Sequence, residues 1–101
     1  MNQFNYTVIE GNLTAVPVLK TAEGKSLCQF TIVNIRSKVN SSGDIVEESS
    51  QIDVYVWDNL AEVCGKYLKQ GSKVMVTGSL RIVTGMTFIT ATEVNFLKKT
   101  V

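Results

Sequence analysis

The stretch Gln51–Gly71, QIDVYVWDNLAEVCGKYLKQG, constrains this chain more than any other: it reads as a strand that runs directly into one amphipathic helix. Residues two apart on a strand share a face. Val54 and Val56 therefore form one row and are the core candidates, while Tyr55 and Trp57 lie together on the other face. Asp58 stands where a helix cap belongs. Leu60, Val63, Cys64, Tyr67 and Leu68 recur at helical spacing as one apolar stripe, and Gly71 is a natural stop. Two large aromatics opposite a valine row call for a purpose outside the core. Stacking of unpaired nucleic-acid bases is one such purpose. Covering the end of a barrel beside the helix, or filling a subunit interface, is the other reading for Trp57.

The flanking segments supply more strands. Phe4–Leu13 reads as a first strand closing on Gly11-Asn12, and Pro17–Lys25 as a loop with a turn at Glu23-Gly24. Leu27–Lys38 is long and rich in β-branched residues. Val39–Ser50 is polar and reads as a flexible loop, at about 38–50, or as a loose hairpin arm. Lys73–Val83 alternates, with Val74, Val76, Leu80 and Ile82 inward and Lys73, Met75, Thr77, Ser79 and Arg81 outward. Thr84-Gly85 is a tight turn into a last strand, Met86–Leu97. Three strands, one helix and two strands, with Gly11 and Gly78 where a small barrel must bend, predict an all-β, five-stranded Greek-key OB-fold. Its helix lies between strands 3 and 4. The 101 residues suit a single such domain spanning the chain.

Composition narrows the function classes. No apolar run approaches the roughly 20 residues of a membrane helix, and no leader is evident, so the expected compartment is the cytoplasm with no membrane partner. Net charge is +1, so any polyanion must be held by local clusters of the ten Lys and Arg residues. There is no histidine, and Cys28 and Cys64 are too few for a zinc site, so no metal or other cofactor is expected. Buried reduced thiols are expected of the two cysteines, with a disulfide as the other reading. Asp53, Asp58, Glu62 and Glu47-Glu48 are scattered over different elements, and no nucleotide-binding glycine loop or triad accompanies them, so no enzyme is expected.

Several blocks, in order, resemble the bacterial single-stranded DNA-binding protein (SSB) family. They are IEGNL at Ile9–Leu13, CQFTIVNIR at Cys28–Arg36, the long block Gln51–Arg81, and TATEVNFL at Thr90–Leu97. The resemblance implies an OB-fold, single-stranded DNA binding and a homodimer or homotetramer, with Tyr6 on a first strand that often lies at the dimer interface. Against the family pattern, Trp57 keeps an aromatic position, while Lys38, Gln51 and Thr84 fall at or near three others and are not aromatic. The loop between the last two strands is cut to Thr84-Gly85, and the acidic, apolar tail tip that recruits partner enzymes in the family is not expected here. In these respects the chain also resembles the short, tail-free primosomal replication protein B (PriB) family.

The expected function is non-enzymatic binding of single-stranded DNA in replication, recombination or mobile-element maintenance. Trp57, Tyr55 and Phe88 would stack bases; Arg36, Lys38, Lys73 and Arg81 would hold phosphates. For each of these the other reading is an ordinary core or solvated position. Phe88 faces outward if Ile89 and Ala91 face in. Phe30 and Phe96 are expected in the core, and Lys66, Lys69, Lys98 and Lys99 on plain surface. Asp53 on the aromatic face would weaken phosphate contact. The alternative is an OB-fold adaptor that works mainly through contacts with replication proteins and has weak DNA affinity.

Overall fold

Alternating apolar residues set six strands and one helix in a computed structural model, which describes residues 2–97. The order is β1 (Thr7–Leu13), β2 (Val18–Ala22), β3 (Lys25–Val39), β4 (Ile45–Trp57), α1 (Asp58–Tyr67), β5 (Lys73–Val83) and β6 (Met86–Leu97). The sheet runs β1-β5-β6-β4-β3-β2, and β1 also pairs with β3 through Asn12↔Val33 and Leu13↔Ile32. That extra pairing closes β1, β5, β6, β4 and β3 into a ring of five strands. All pairs are antiparallel except β4 with β6, which run parallel over Asp53↔Phe88, Val54↔Ile89 and Tyr55↔Thr90. This is the OB-fold expected from the sequence, with the helix between β4 and β5. Lys98 and Lys99 lie outside the described residues.

Two glycines permit the ring to close. A Cβ on Gly11 would stand 2.5 Å from the Val33 carbonyl oxygen, at the β1–β3 seam. A Cβ on Gly78 would run into the carbonyl oxygen of Thr90 and the backbone of Ala91. There the β5–β6 register shifts between Thr77 and Gly78, a bulge that bends the sheet. The core then draws on one pleat face of the five ring strands: Leu13; Cys28, Phe30 and Ile32; Val54 and Val56; Val74 and Val76; Ile89, Ala91 and Val94.

The helix differs from expectation in its ends and its buried stripe. The N-cap position is Trp57 and no side chain caps it. Asp58 instead takes the left-handed conformation, φ 63°, that swings the strand directly into the helix. The helix ends at Tyr67, with Leu68 extended, and Gly71 (φ 88°) turns the chain into β5. Ala61, Cys64 and Leu68 are buried, whereas Val63 and Tyr67 are exposed. A short helix lying across one end of a barrel covers it with a narrow i, i+3, i+7 stripe.

The strands also run further than the core. The segment read as a flexible loop over about 38–50 or a loose hairpin arm is the latter, with a turn that spans only Asn40–Asp44. The Asn40 Oδ1 accepts the Ser42 and Asp44 backbone N–H groups at 2.9 and 3.0 Å. Leu80 and Ile82 share the pleat face of Val74 and Val76, yet Ile82 is 72% exposed, because β5 and β6 leave the barrel as a second arm. Phe96, expected in the core, is 43% exposed at the other end of β6. Finally, Val18–Ala22 is a strand rather than loop, zipped onto β3 from Val18↔Gln29 to Ala22↔Lys25.

Candidate functional site

The β4–β6 pairing builds the site. Its register sets Phe88 opposite Asp53 and diagonal to Tyr55, on the pleat face turned away from Val54 and Ile89. The Tyr55 and Phe88 rings stack with centroids 4.4 Å apart and planes inclined at 22°. Ile89 and Ala91 are buried, and Phe88 is half-buried on the outer face. Such a pair contributes about 0.5–1.5 kcal/mol beyond its area. It also fixes both half-buried rings and leaves each with one face that the other does not cover.

Beside the platform lies a groove of about 320 Å³, lined by Val16 and Val18 from one side and by Gln29, Thr31, Asp53 and Tyr55 from the other. The Thr31 hydroxyl donates a 2.6 Å hydrogen bond to the Asp53 carboxylate. The groove thus combines an aromatic ring from Tyr55, the apolar Val16 and Val18, and the polar Gln29, Thr31 and Asp53. Trp57 is half-buried two residues further along the same face, roughly 7 Å from Tyr55. It borders a separate cleft shared with Glu23, Lys25 and Asp58.

Arg81 lies opposite Phe88 in the β5–β6 register and shares its face. Arg36 and Lys38 do not. The β3–β4 register runs without a shift from Leu27↔Trp57 to Val39↔Ile45, so even-numbered β3 residues stay on the core-side face. Arg36 is opposite Glu48, and the Lys38 ammonium is 2.8 Å from the Glu48 carboxylate. Lys73 is placed elsewhere again, opposite Leu97 and beside Tyr67 and Phe96. The structure therefore groups Tyr55, Phe88 and Arg81, sets Trp57 next to them, and separates Arg36, Lys38 and Lys73.

Sequence reading missed Gln29, Thr31 and the Val16–Val18 wall, because β2 was read as loop and its pairing with β3 was not in view. Lys25 beside Trp57 had a signal: it follows the Glu23-Gly24 turn. The two thiols take no part. Cys28 and Cys64 are free and buried; burial raises both, and with a further contribution from Cys28 the Cys64 thiol is pushed up to about 12. No described helix is long and apolar enough to cross a membrane.

Comparison with known proteins places this geometry. The single-stranded DNA-binding protein 1 of Chlorobaculum tepidum is 32% identical over 78 residues, covering 76% of this chain and 48% of that protein. The single-stranded DNA-binding protein of Caldanaerobacter subterraneus subsp. tengcongensis is 35% identical over 78 residues, covering 76% and 51%. The chain spans about half the length of these two relatives. Among solved structures, a Plasmodium falciparum SSB complex with ssDNA superposes with a TM-score of 0.85 at 19% identity, over 97% of this chain and 98% of that one. A Thermus aquaticus single-stranded DNA binding protein variant gives 0.81 at 21%, over 94% and 51%. These two likenesses are of fold. The model of the single-strand binding protein family matches residues 4–87, and the chain belongs to that family.

Proposed function

We propose that this chain binds single-stranded DNA without catalysing a reaction, as one OB-fold domain, through bases stacked on the Tyr55–Phe88 platform and on Trp57. The observation that carries the reading is the platform itself: two stacked rings, half-buried on the outer face beside an open groove, in a chain of this family. Base stacking on an aromatic side chain contributes about 1–3 kcal/mol with little sequence preference. Arg81, opposite Phe88, supplies a phosphate contact on the same face. Arg36 and Lys38 lie on the other face of the β3–β4 arm and Glu48 offsets Lys38, so neither is assigned a phosphate contact beside the platform.

Self-association into a dimer or tetramer joins several such sites into one stronger one. The exposed Phe4 and Tyr6, which precede β1, and Val8 within it, with the Phe4 and Tyr6 rings 6.2 Å apart, fit a subunit interface. The two free thiols fit the cytoplasm, where replication and recombination expose single strands.

The test is the fluorescence of Trp57, the only tryptophan, titrated with oligo-dT at low and high salt. Quenching that weakens as salt rises is the expected result. No quenching and no mobility shift at micromolar protein would leave the adaptor as the better account.

A further inference from the structure

A second aromatic cleft lies at the other end of β6. Phe96 is eight residues beyond Phe88, roughly 26 Å along the strand. It borders an open cleft of about 270 Å³ with Tyr67, Leu68, Lys69, Ser72 and Lys73. The Tyr67 ring is 61% exposed and the Lys66 ammonium lies 5.3 Å from its centroid. Aromatics this exposed contribute little to folding, because neither ring joins the core cluster.

Charge distinguishes this cleft from the two on the Trp57 side. The Tyr55 groove contains Asp53, and the Trp57 cleft contains Glu23 and Asp58. Among the described residues, the Tyr67–Phe96 cleft is lined by Lys69 and Lys73 and by no carboxylate. The C-terminal end of α1 borders the cleft through Tyr67, and the partial negative charge of a helix end disfavours an anion. Lys66 in the last helical turn offsets that partial charge, and Lys69 and Lys73 remain in excess. Rings for bases beside ammonium groups for phosphates are what a single strand requires.

We propose that Tyr67, Phe96, Lys69 and Lys73 form a second nucleotide subsite, which holds a distal part of the same strand that the Tyr55–Phe88 platform binds. This rests on the single-strand-binding reading and extends it. The platform engages a short oligonucleotide alone; the second subsite adds affinity only when the strand is long enough to reach it. It also gives Lys73 its role, at a distance from Arg81, and recruits Tyr67, which sequence reasoning set on the apolar stripe of the helix, and Lys69, which it left on the surface.

The experiment is fluorescence anisotropy of labelled dT oligomers of about 4 and about 16 nucleotides, the span of site sizes for one OB-fold. Wild type is compared with Tyr67→Ala/Phe96→Ala and, separately, with Lys69→Glu, a fully surface change that spares the apolar packing. Both variants are expected to bind the short oligomer as wild type does and the long one about fivefold or more weakly. Equal affinity of wild type and Lys69→Glu for the long oligomer would overturn the subsite. So would a change of oligomeric state in Tyr67→Ala/Phe96→Ala, seen by sedimentation, since a second copy of the chain would then cover the cleft. Wild type binding neither length would overturn the platform and the subsite together, and so differs from failure of the subsite alone.

Discussion

Replacing Phe88 by leucine keeps apolar bulk on the outer face and removes one π surface. In the folded protein this deletes a ring pair at 4.4 Å, a loss of about 0.5–1.5 kcal/mol. Reshaping a half-buried apolar site adds less than about 1.5 kcal/mol. A stability loss of about 1–2 kcal/mol follows, which lowers the melting temperature by about 4–16 °C in a domain of this size. Binding falls more steeply. Each stacked base contributes about 1–3 kcal/mol, a five- to 150-fold change in affinity. If Tyr55 and Phe88 act as one platform, the Tyr55→Leu and Phe88→Leu losses in binding are not additive, and the double variant costs less than their sum. The assay is quenching of Trp57 by oligo-dT, which leaves the reporter untouched, paired with thermal unfolding. A Phe88→Leu protein that melts early yet binds oligo-dT within twofold of wild type would show that the ring pair serves folding and not recognition.

Arg81→Gln should weaken oligo-dT binding and reduce the slope of log affinity against log salt by about 0.7, the value for one phosphate contact on a single strand. Lys38→Gln should leave that slope near wild type, because Lys38 faces the other way and pairs with Glu48; the comparison is made by titration at several salt concentrations. Gly78→Ala should destabilise the fold by about 3 kcal/mol, the upper end for overpacking, since a Cβ there meets backbone rather than a side chain; urea denaturation reads it. Stability should also fall as pH rises above about 9. The unfolded Cys64 ionises from its ordinary value of 9.0, while the folded thiol, raised to about 12, stays protonated. The folded state then binds the extra proton, so stability is complete below pH 9 and is lost toward pH 12, at up to about 1.4 kcal/mol per pH unit for this one group. Urea midpoints between pH 8 and 11 should decline less in Cys64→Ala than in wild type.

Period-2 alternation made much of the barrel legible. It put Val54, Val56, Val74 and Val76 inside and Tyr55 and Trp57 on the opposite face, and the buried rows agree. Alternation does not report where a strand leaves the barrel. Leu80 and Ile82 continue the pattern of Val76 after the core has ended, so their burial could not be read from spacing. Phe96 failed in the same way at the far end of β6. Arg36 and Lys38 are a different matter, since their parity with Cys28, Phe30 and Ile32 already assigned them to the core-side face. The helix misled through size: Val63 and Tyr67 are larger than Ala61, yet the small residue is the one that fits against the barrel. β2 was hidden because its residues, VLKTA, all exposed but Ala22, gain their order from pairing with β3 and not from burial.

The two arms end in turns at Asn40–Asp44 and Thr84-Gly85, each beyond the last buried residue of its strands. Adding or removing residue pairs at these tips therefore alters no contact in the core, and lengthening a surface turn costs little loop entropy. Footprint and foldability are in this way uncoupled. A longer Thr84-Gly85 tip would extend the surface beyond Phe88 and Arg81 while Ile89 and Ala91 stay where they are. The same barrel can thus be fitted to strands of different length by changing only its outermost loops.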